Sequence, residues 1–551
     1  MKTKYLVIGF IALILVAGAL ATTTVRDTFF QIGNNLFTSG GISLDSGSSI
    51  NISNNITMNN SGIYLGSTKS KLTKAYDVVV CRYDGTNHEV YQECDVVCDD
   101  GDCIVELNSS IQTSNTNVLW RAGYYPGLIN GYGLITSKQN ITIDAYNVIL
   151  NVNQTGSDTS IFKIINTSNF NINGLQIVSN NTCDTNTCVG LFLDSGSNIH
   201  INNIKIKGVS GFQVYLISNL ENLTNVYIKE SIFESNGIND AIGGGIYTSG
   251  TFVKDIFIEN NKIVQKLTIG NYTQAIDIVA GNNINILNNV VYGNLVFGTE
   301  NNMTTFSSMI NNIVYPAIND AYTANRGDIK IDRKDSKLNK IINNNIIWGI
   351  INFHGNDSLI SGNTISFNSD SLISINGSSN IIISNNINGG NRGISLFEGK
   401  NNLVSNNYFY NNSFGSNPIS ILLESGVKDN FISNNMLINP SDATIQNGIY
   451  FGCGINNSIA DSNKMYNYGV ITANYINFGC TGTNNNSISN NYFIGNNPGV
   501  TMYTIGANNY ADVKNYTTLP SCNNNVEGKS LWNTTDGTDY QLSVCKGGTW
   551  Y

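Results

Sequence analysis

The residues best placed for chemistry are few, and they recur at one spacing. Between residues 326 and 399 like side chains return every 22 positions. Gly327, Gly349, Ser371 and Gly393 form one series, and Ile331, Phe353, Ile375 and Phe397 form an apolar one. In that register Asp332, His354, Asn376 and Glu398 fall in line, as do Arg326, Trp348, Asp370 and Arg392. Carboxylates beside an imidazole can exchange protons with a bound hydroxyl, which makes Asp332, His354 and Glu398 the catalytic candidates. Arg326, Trp348, Asp370, Arg392 and Asn376 supply charge, an amide and an aromatic surface suited to a sugar or uronate. At one strand spacing per repeat, Asp332 and Glu398 stand about 14 Å apart. That exceeds the roughly 6.5–9.5 Å between the carboxyls of an inverting glycosidase. An ordinary polar ladder is the competing explanation of the same line.

Other chemical signals are weaker. The 21 residues from Asp320 to Lys340 carry ten charges, which fits a solvated loop as well as a binding patch. Arg326-Gly327-Asp328 spells an integrin tripeptide, but it falls on an expected strand rather than a loop tip. Three His and seven Met are too few and too scattered for a copper site. Asp99-Asp100-Gly101-Asp102 lacks the spaced ligands of a calcium loop and reads as a turn. No metal and no cofactor is expected; calcium is conceivable but unsupported.

The elements that must position these residues are written in asparagine. Of 551 residues 92 are Asn and 93 are Ser or Thr, whereas only 12% are charged. Hydrophobic residues at 41% suffice for a core, so the chain is not a disordered polyelectrolyte. A net charge of −9 argues against nucleic acid, which needs a basic stripe. The recurring phrase is a short apolar alternation followed by an Asn pair, as in Ile256-Phe257-Ile258-Glu259-Asn260-Asn261 and Ile381-Ile382-Ile383-Ser384-Asn385-Asn386. Some fourteen copies lie 19 to 32 residues apart between about residues 140 and 490. Period-two apolarity predicts strands, and a repeat in the twenties with short strands predicts the coils of a parallel β-helix. Asn tolerates the left-handed backbone of a sharp corner. Stacked coils set like amides about 4.8 Å apart, close enough to hydrogen-bond in a ladder.

Residues 1–21, Met1-Lys2-Thr3-Lys4 and then an apolar run to Ala21, predict a signal peptide, with an uncleaved membrane anchor as the alternative. Ten cysteines agree with export. Cys81, Cys94, Cys98 and Cys103 form a cluster of open connectivity, Cys183 and Cys188 bracket a tight loop, and Cys522 and Cys545 enclose a C-terminal hairpin. A late period of 27 residues aligns Gly426, Cys453, Cys480 and Ala507, which predicts a Cys453–Cys480 bridge between neighbouring coils. Zinc is disfavoured, because His88 is the one histidine near the four-cysteine cluster. There are 18 Asn-x-Ser/Thr sites, against 92 × 93/551, about 15.5, expected from composition. Their number is therefore no sign of selection for glycans.

With these features the chain resembles the right-handed parallel β-helix, or pectate-lyase-like, superfamily over roughly residues 75–510. The resemblance rests on the Asn-Asn corners and on the start segment. Cys94 to Ile111 looks like the short capping helix of such folds, and Asn117 to Tyr125 like their first strand and its Gly-x-Tyr turn. It implies an all-β, single right-handed solenoid of about 14 coils with a short N-terminal capping helix. The chain then divides into 1–21, the signal or anchor; 22–74, a polar stalk or extra β segment; 75–135, a disulfide-rich cap; 136–512, the β-helix; and 513–551, a Cys-closed hairpin module. The scaffold hosts lyases, hydrolases, adhesins and spikes, so it does not fix the function. The expectation is an extracellular or surface-anchored protein that binds polysaccharide or another surface component. A polysaccharide lyase or glycoside hydrolase is the alternative, and scarce charge weighs against it. A passive coat or fibre component, monomeric or trimeric, is the second.

Overall fold

The computed structural model describes side chains between residues 76 and 492, apart from 83–93, 99–102, 126–136, 153–159, 180–188, 235–252, 266–273, 299–303, 319–326, 367–370, 470–474, 479–482 and shorter gaps. Outside that range it describes backbone strands alone. Two compact units result, Met1–Val79 and Val80–Tyr551. The first carries two three-stranded antiparallel sheets, Phe30–Ile32 with Asn35–Thr38 and Gly41–Ser43, and Ile56–Asn59 with Gly62–Leu65 and Ser70–Thr73. The expected leader at 1–21 lies outside the described residues.

The second unit is built from coils of three short strands. In one coil these are Ile381–Ile383, Asn386–Asn388 and Arg392–Glu398. Each pairs in parallel with its counterpart one coil before and one coil after, so three sheets run along the solenoid. Alternation sends Ile382, Ile387, Ile394 and Leu396 inward, where they are fully buried. Inward columns such as Ile341, Ile360, Ile382, Val404 and Ile432 stack branched side chains, which suits stiff rotamers on a pleated surface. The chain is the all-β parallel β-helix that the repeat predicted.

The Asn pairs turn out to divide the work of the corner between the first and second sheets. The first Asn takes the left-handed conformation, with φ of 56° at Asn260, 56° at Asn288, 56° at Asn406 and 55° at Asn434. The second is buried and joins a ladder through Asn261, Asn289, Asn312, Asn344, Asn363, Asn385, Asn407, Asn435, Asn463 and Asn491. Each Nδ2 donates to the next Oδ1 at 2.9–3.1 Å. A shorter run at the corner before the first sheet uses Asn380, Asn402 and Asn430 with Ser358 and Ser458. Two places after each ladder Asn stands an inward apolar residue, Ile387 after Asn385 and Phe409 after Asn407. No ladder Asn can therefore head a glycosylation site.

Two registers differ from expectation. The 22-residue series holds through Ile331, Phe353 and Ile375, but Leu396 rather than Phe397 occupies the next inward place. A one-residue bulge in Arg392–Glu398 absorbs the difference, so Arg392 stands opposite Ser371 and leaves the expected line with Asp370. Gly327 and Gly349 do stack: a Cβ on Gly349 would lie 1.8 Å from the Gly327 carbonyl oxygen, so only glycine fits. Further on, Leu423 pairs with Phe451, and Gly426 N–H donates to Cys453 O. Gly426 is thus one place out of line with Cys453, because that coil is a residue longer than the next.

Among the described residues every cysteine is disulfide-bonded. The cluster left open by sequence pairs as Cys81–Cys94 and Cys98–Cys103. Cys453 is bonded, while its expected partner Cys480 lies outside the described residues. Cys183, Cys188 and Cys522 and the side chain of Cys545 do too, although Ser530–Thr534 and Tyr540–Lys546 pair antiparallel. We expect Cys453→Ser to release one reactive thiol on Cys480, read by labelling and peptide mapping. A label on any other cysteine refutes the pairing. Cys103, Leu107 and Asn108 are helical, and the rest of the expected capping helix is outside the described residues. Tyr125 of the Gly-x-Tyr turn is buried, and its hydroxyl donates to Arg121 O at 2.7 Å.

Candidate functional site

The third sheet carries the most chemistry on its outer side. Strand register aligns Lys163, Phe192, Tyr215, Gly243, Asp277, Val296, Lys330 and Asn352 as one outward row. Lys163 Nζ lies 5.2 Å from the Phe192 ring centre. Phe192 tilts 57° against Tyr215, which stacks on Phe212 at 4.4 Å. Past these rings the row drops to bare backbone at Gly243 and then meets Asp277.

Asp277 is the unusual group of the molecule. A bulge between Gln274 and Ile276 sends Ala275 and Ile276 into the core and leaves Gln274 and Asp277 on the outer side. Both are half-buried, yet Gln274 Oε1 and Asp277 Oδ1 are fully enclosed and lack a hydrogen-bond partner among the described residues. Burial, with the nearby Asp332 charge adding to it, pushes the Asp277 carboxyl up to about 7. An acid that titrates near neutrality can give or take a proton at little cost.

The residues singled out by spacing fall around this point in different ways. His354, Asn376 and Glu398 do line up on adjacent strands, and Asp332 precedes them at the end of Ile329–Ile331. Glu398 is engaged by Lys334 at 2.6 Å, and Arg392 by Glu424 at 3.4 Å. Trp348 is 57% exposed in a left-handed corner, φ 60°, one turn before the row. Arg326 and Asp370 lie outside the described residues. Asp328 is buried, with Oδ1 accepting from Ile350 N–H at 3.0 Å and Lys330 3.6 Å away, so it acts as a structural acid rather than an exposed tripeptide.

The first sheet offers a rival, which its geometry disqualifies. His200, Tyr227 and Phe257 stack at 4.7 and 4.9 Å with rings within 10° of parallel. Their faces lie against one another along the solenoid axis, and no enclosed side-chain atom without a partner adjoins them among the described residues. Burial and Lys229 hold His200 below its ordinary pKa. This is a structural ladder.

Chain length also favours the third sheet. Connections leading into it are long at 235–241, 265–273 and 316–328 but short at 348–350 and 389–391. Of these, 265–273 leads into the strand of Asp277 and 235–241 into the one before it, whereas the strand after it is entered through residue 293 alone and a further long connection, 411–418, lies well away from it. Sequence spacing missed Asp277 and Gln274 for that reason: no fixed period runs through coils of unequal length. The Gly243-Gly244-Gly245 run, one strand before, was the signal that could have marked the spot. Among the described residues no group of three His, Cys, Asp or Glu is disposed to hold a metal.

By fold the molecule belongs to the class of parallel β-helices. No family model matches the sequence, and no curated protein matches it. Solved structures do. The A-module of mannuronan C-5 epimerase AlgE6 from Azotobacter vinelandii shares 14% identity, with 75% of this chain and 94% of that one covered and a TM-score of 0.35. The periplasmic alginate epimerase AlgG shares 13%, covering 68% and 79%, with a TM-score of 0.34. A PL6 alginate lyase in complex with a trisaccharide shares 14%, covering 85% and 94%, with a TM-score of 0.31. At such identities and scores these likenesses carry no argument about activity, and the fold rests on the strand pairing above.

Proposed function

We propose that this is an exported, polysaccharide-binding β-helix protein whose third sheet is the binding face. The observation that carries the reading is the outward row itself: aromatic rings lead over a glycine to enclosed polar groups. Saccharides present apolar ring faces and hydroxyl edges, and such a row matches both. Disulfides at Cys81–Cys94 and Cys98–Cys103 support export. Affinity electrophoresis against alginate, pectate, xylan and mannan tests it. One of these should retard the protein, and Tyr215→Ala should weaken that retention by about tenfold, as loss of an aromatic anchor does. His200→Ala, on the first sheet, should leave it unchanged. No retardation by any of the four, or no response to Tyr215→Ala, refutes the reading.

A second reading, a polysaccharide lyase or hydrolase, is favoured by the Asp277 carboxyl standing near neutrality. Release of reducing ends or of ultraviolet-absorbing unsaturated uronates, abolished by Asp277→Asn, separates the enzyme from the binder.

A further inference from the structure

On the reading that the third sheet binds polysaccharide, we propose that Gln274 and Asp277 form a subsite that takes a neutral pyranose ring by two of its hydroxyl groups. Two enclosed oxygens of this strand, Gln274 Oε1 and Asp277 Oδ1, lack a partner among the described residues, and both are acceptors. A buried acceptor without a donor is unfavourable, and adjacent sugar hydroxyls supply two donors at once. The bulge at Gln274 and Ile276 is what aims both side chains to the same side of the sheet. On the preceding strand Gly243 stands beside Asp277 and presents backbone only. On the following strand Val296 stands beside it and is buried, 3% exposed.

Charge selects against a uronate here. The strands paired with that of Asp277, Ile242–Ile246 and Asn294–Phe297, carry no charge, and the segment around Ile329–Ile331, one strand further, carries Asp328, Lys330 and Asp332. Lys330 is 3.6 Å from Asp328, which matches its charge. Gly243, Asn294 and Val296 add none. Among the described residues the local balance is negative, and a sugar carboxylate would add a further like charge.

Hydroxyl donors favour the ionised form of Asp277, whose carboxyl stands at about 7 when the subsite is empty. Binding below that pH therefore releases a proton, and affinity should rise with pH by up to about tenfold per unit until it levels off.

Isothermal titration of the full chain with 1,4-linked hexasaccharides of mannose, glucose, xylose and mannuronate (β) and of galacturonate (α) reads all of this. A neutral hexasaccharide should bind more tightly than either uronate, with affinity climbing from pH 6 to pH 8. Asp277→Asn should weaken it by about tenfold or more at pH 8 and flatten the pH dependence, and Gln274→Met should weaken it by about fivefold. Circular dichroism controls for folding in both variants. Binding that Tyr215→Ala abolishes but Asp277→Asn and Gln274→Met leave untouched overturns the subsite and spares the wider reading. Tighter binding of a uronate than of every neutral hexasaccharide overturns it as well. No binding of any of the five overturns both.

Discussion

Asn385→Leu is expected to lower the unfolding free energy by about 5 kcal/mol, while Asn386→Ala, one residue along, changes it by about 0.5 or less. The two Asn differ only in which side of the corner they occupy. The Asn385 side chain accepts from Asn363 N–H and Nδ2, both at 2.9 Å, and donates to Ile360 O at 3.0 Å and Asn407 Oδ1 at 2.9 Å. Leucine has similar volume, so a cavity is not the issue; four buried polar groups on the two flanking coils lose a partner at once. Asn363 N–H is stranded in the interior, at about 1–3 kcal/mol, while Asn363 Nδ2 keeps Ile341 O and Asn407 Oδ1 keeps Asn385 N–H, so three weakened contacts supply the rest of the stated figure. Asn386 is exposed and makes no side-chain hydrogen bond among the described residues, and Asn363 O still receives its backbone N–H. Urea unfolding of both variants checks this. Because a solenoid can open in segments, exchange protection of the Asn363 amide gives the local reading. Equal effects of the two substitutions would leave the ladder without energetic weight.

That contrast also marks how far the sequence could be read. The Asn-Asn phrase announces strands, coils and corners, because alternation and turn chemistry are local properties. It does not announce which residue is left-handed and which Asn is buried: at Asn260-Asn261 the first Asn is left-handed and the second buried, whereas at Asn385-Asn386 the left-handed residue is Ser384, φ 56°, and the first Asn is the buried one. Register is legible while coil length is constant. It fails at Leu396 and Phe397, where two adjacent apolar residues compete for one inward place and a bulge decides between them. The line His354, Asn376 and Glu398 survives that slip because the bulge lies before Glu398 and restores the spacing. Asp277 was out of reach. Ile242 pairs with Ile276, Ile276 with Leu295 and Leu295 with Ile329, at intervals too uneven for any period to reveal. Uneven coil lengths hide a position from any periodic reading, so the least readable part of the solenoid here is the part that holds Gln274 and Asp277.

Asp277→Asn is expected to stabilise the protein, by about 3 kcal/mol at pH 8 and by nearly nothing at pH 4. The ordinary carboxyl value is 3.8, and in the folded chain it stands at about 7. Between these values the native state holds a proton that the unfolded chain has released. Stability therefore falls as pH rises from about 4 to about 7, and the whole penalty stands above 7. A shift of about three units corresponds to about 4 kcal/mol, reduced here because the side chain keeps some exposure. The asparagine variant has nothing to titrate at this position and should lack that slope. Two other groups act with the opposite sign. Burial would raise the Asp461 carboxyl, but hydrogen bonds from Ser489, Ser462 and Asn490 hold it below its ordinary value, so its contribution is lost as pH falls into the acid range. His200, held low by burial and Lys229, likewise loses stability as pH falls below its ordinary value. Both are present in wild type and variant, so they cancel when the two unfolding curves are subtracted at each pH. A difference that stays flat from pH 4 to pH 8 would mean that Asp277 is solvated like any surface carboxyl. The subsite with Gln274 would then lose its premise, since a hydrated acceptor has no need of a ligand. A difference that grows with pH would mean that the fold retains, at a cost in stability, an acid it does not need for folding, as binding and catalytic sites do.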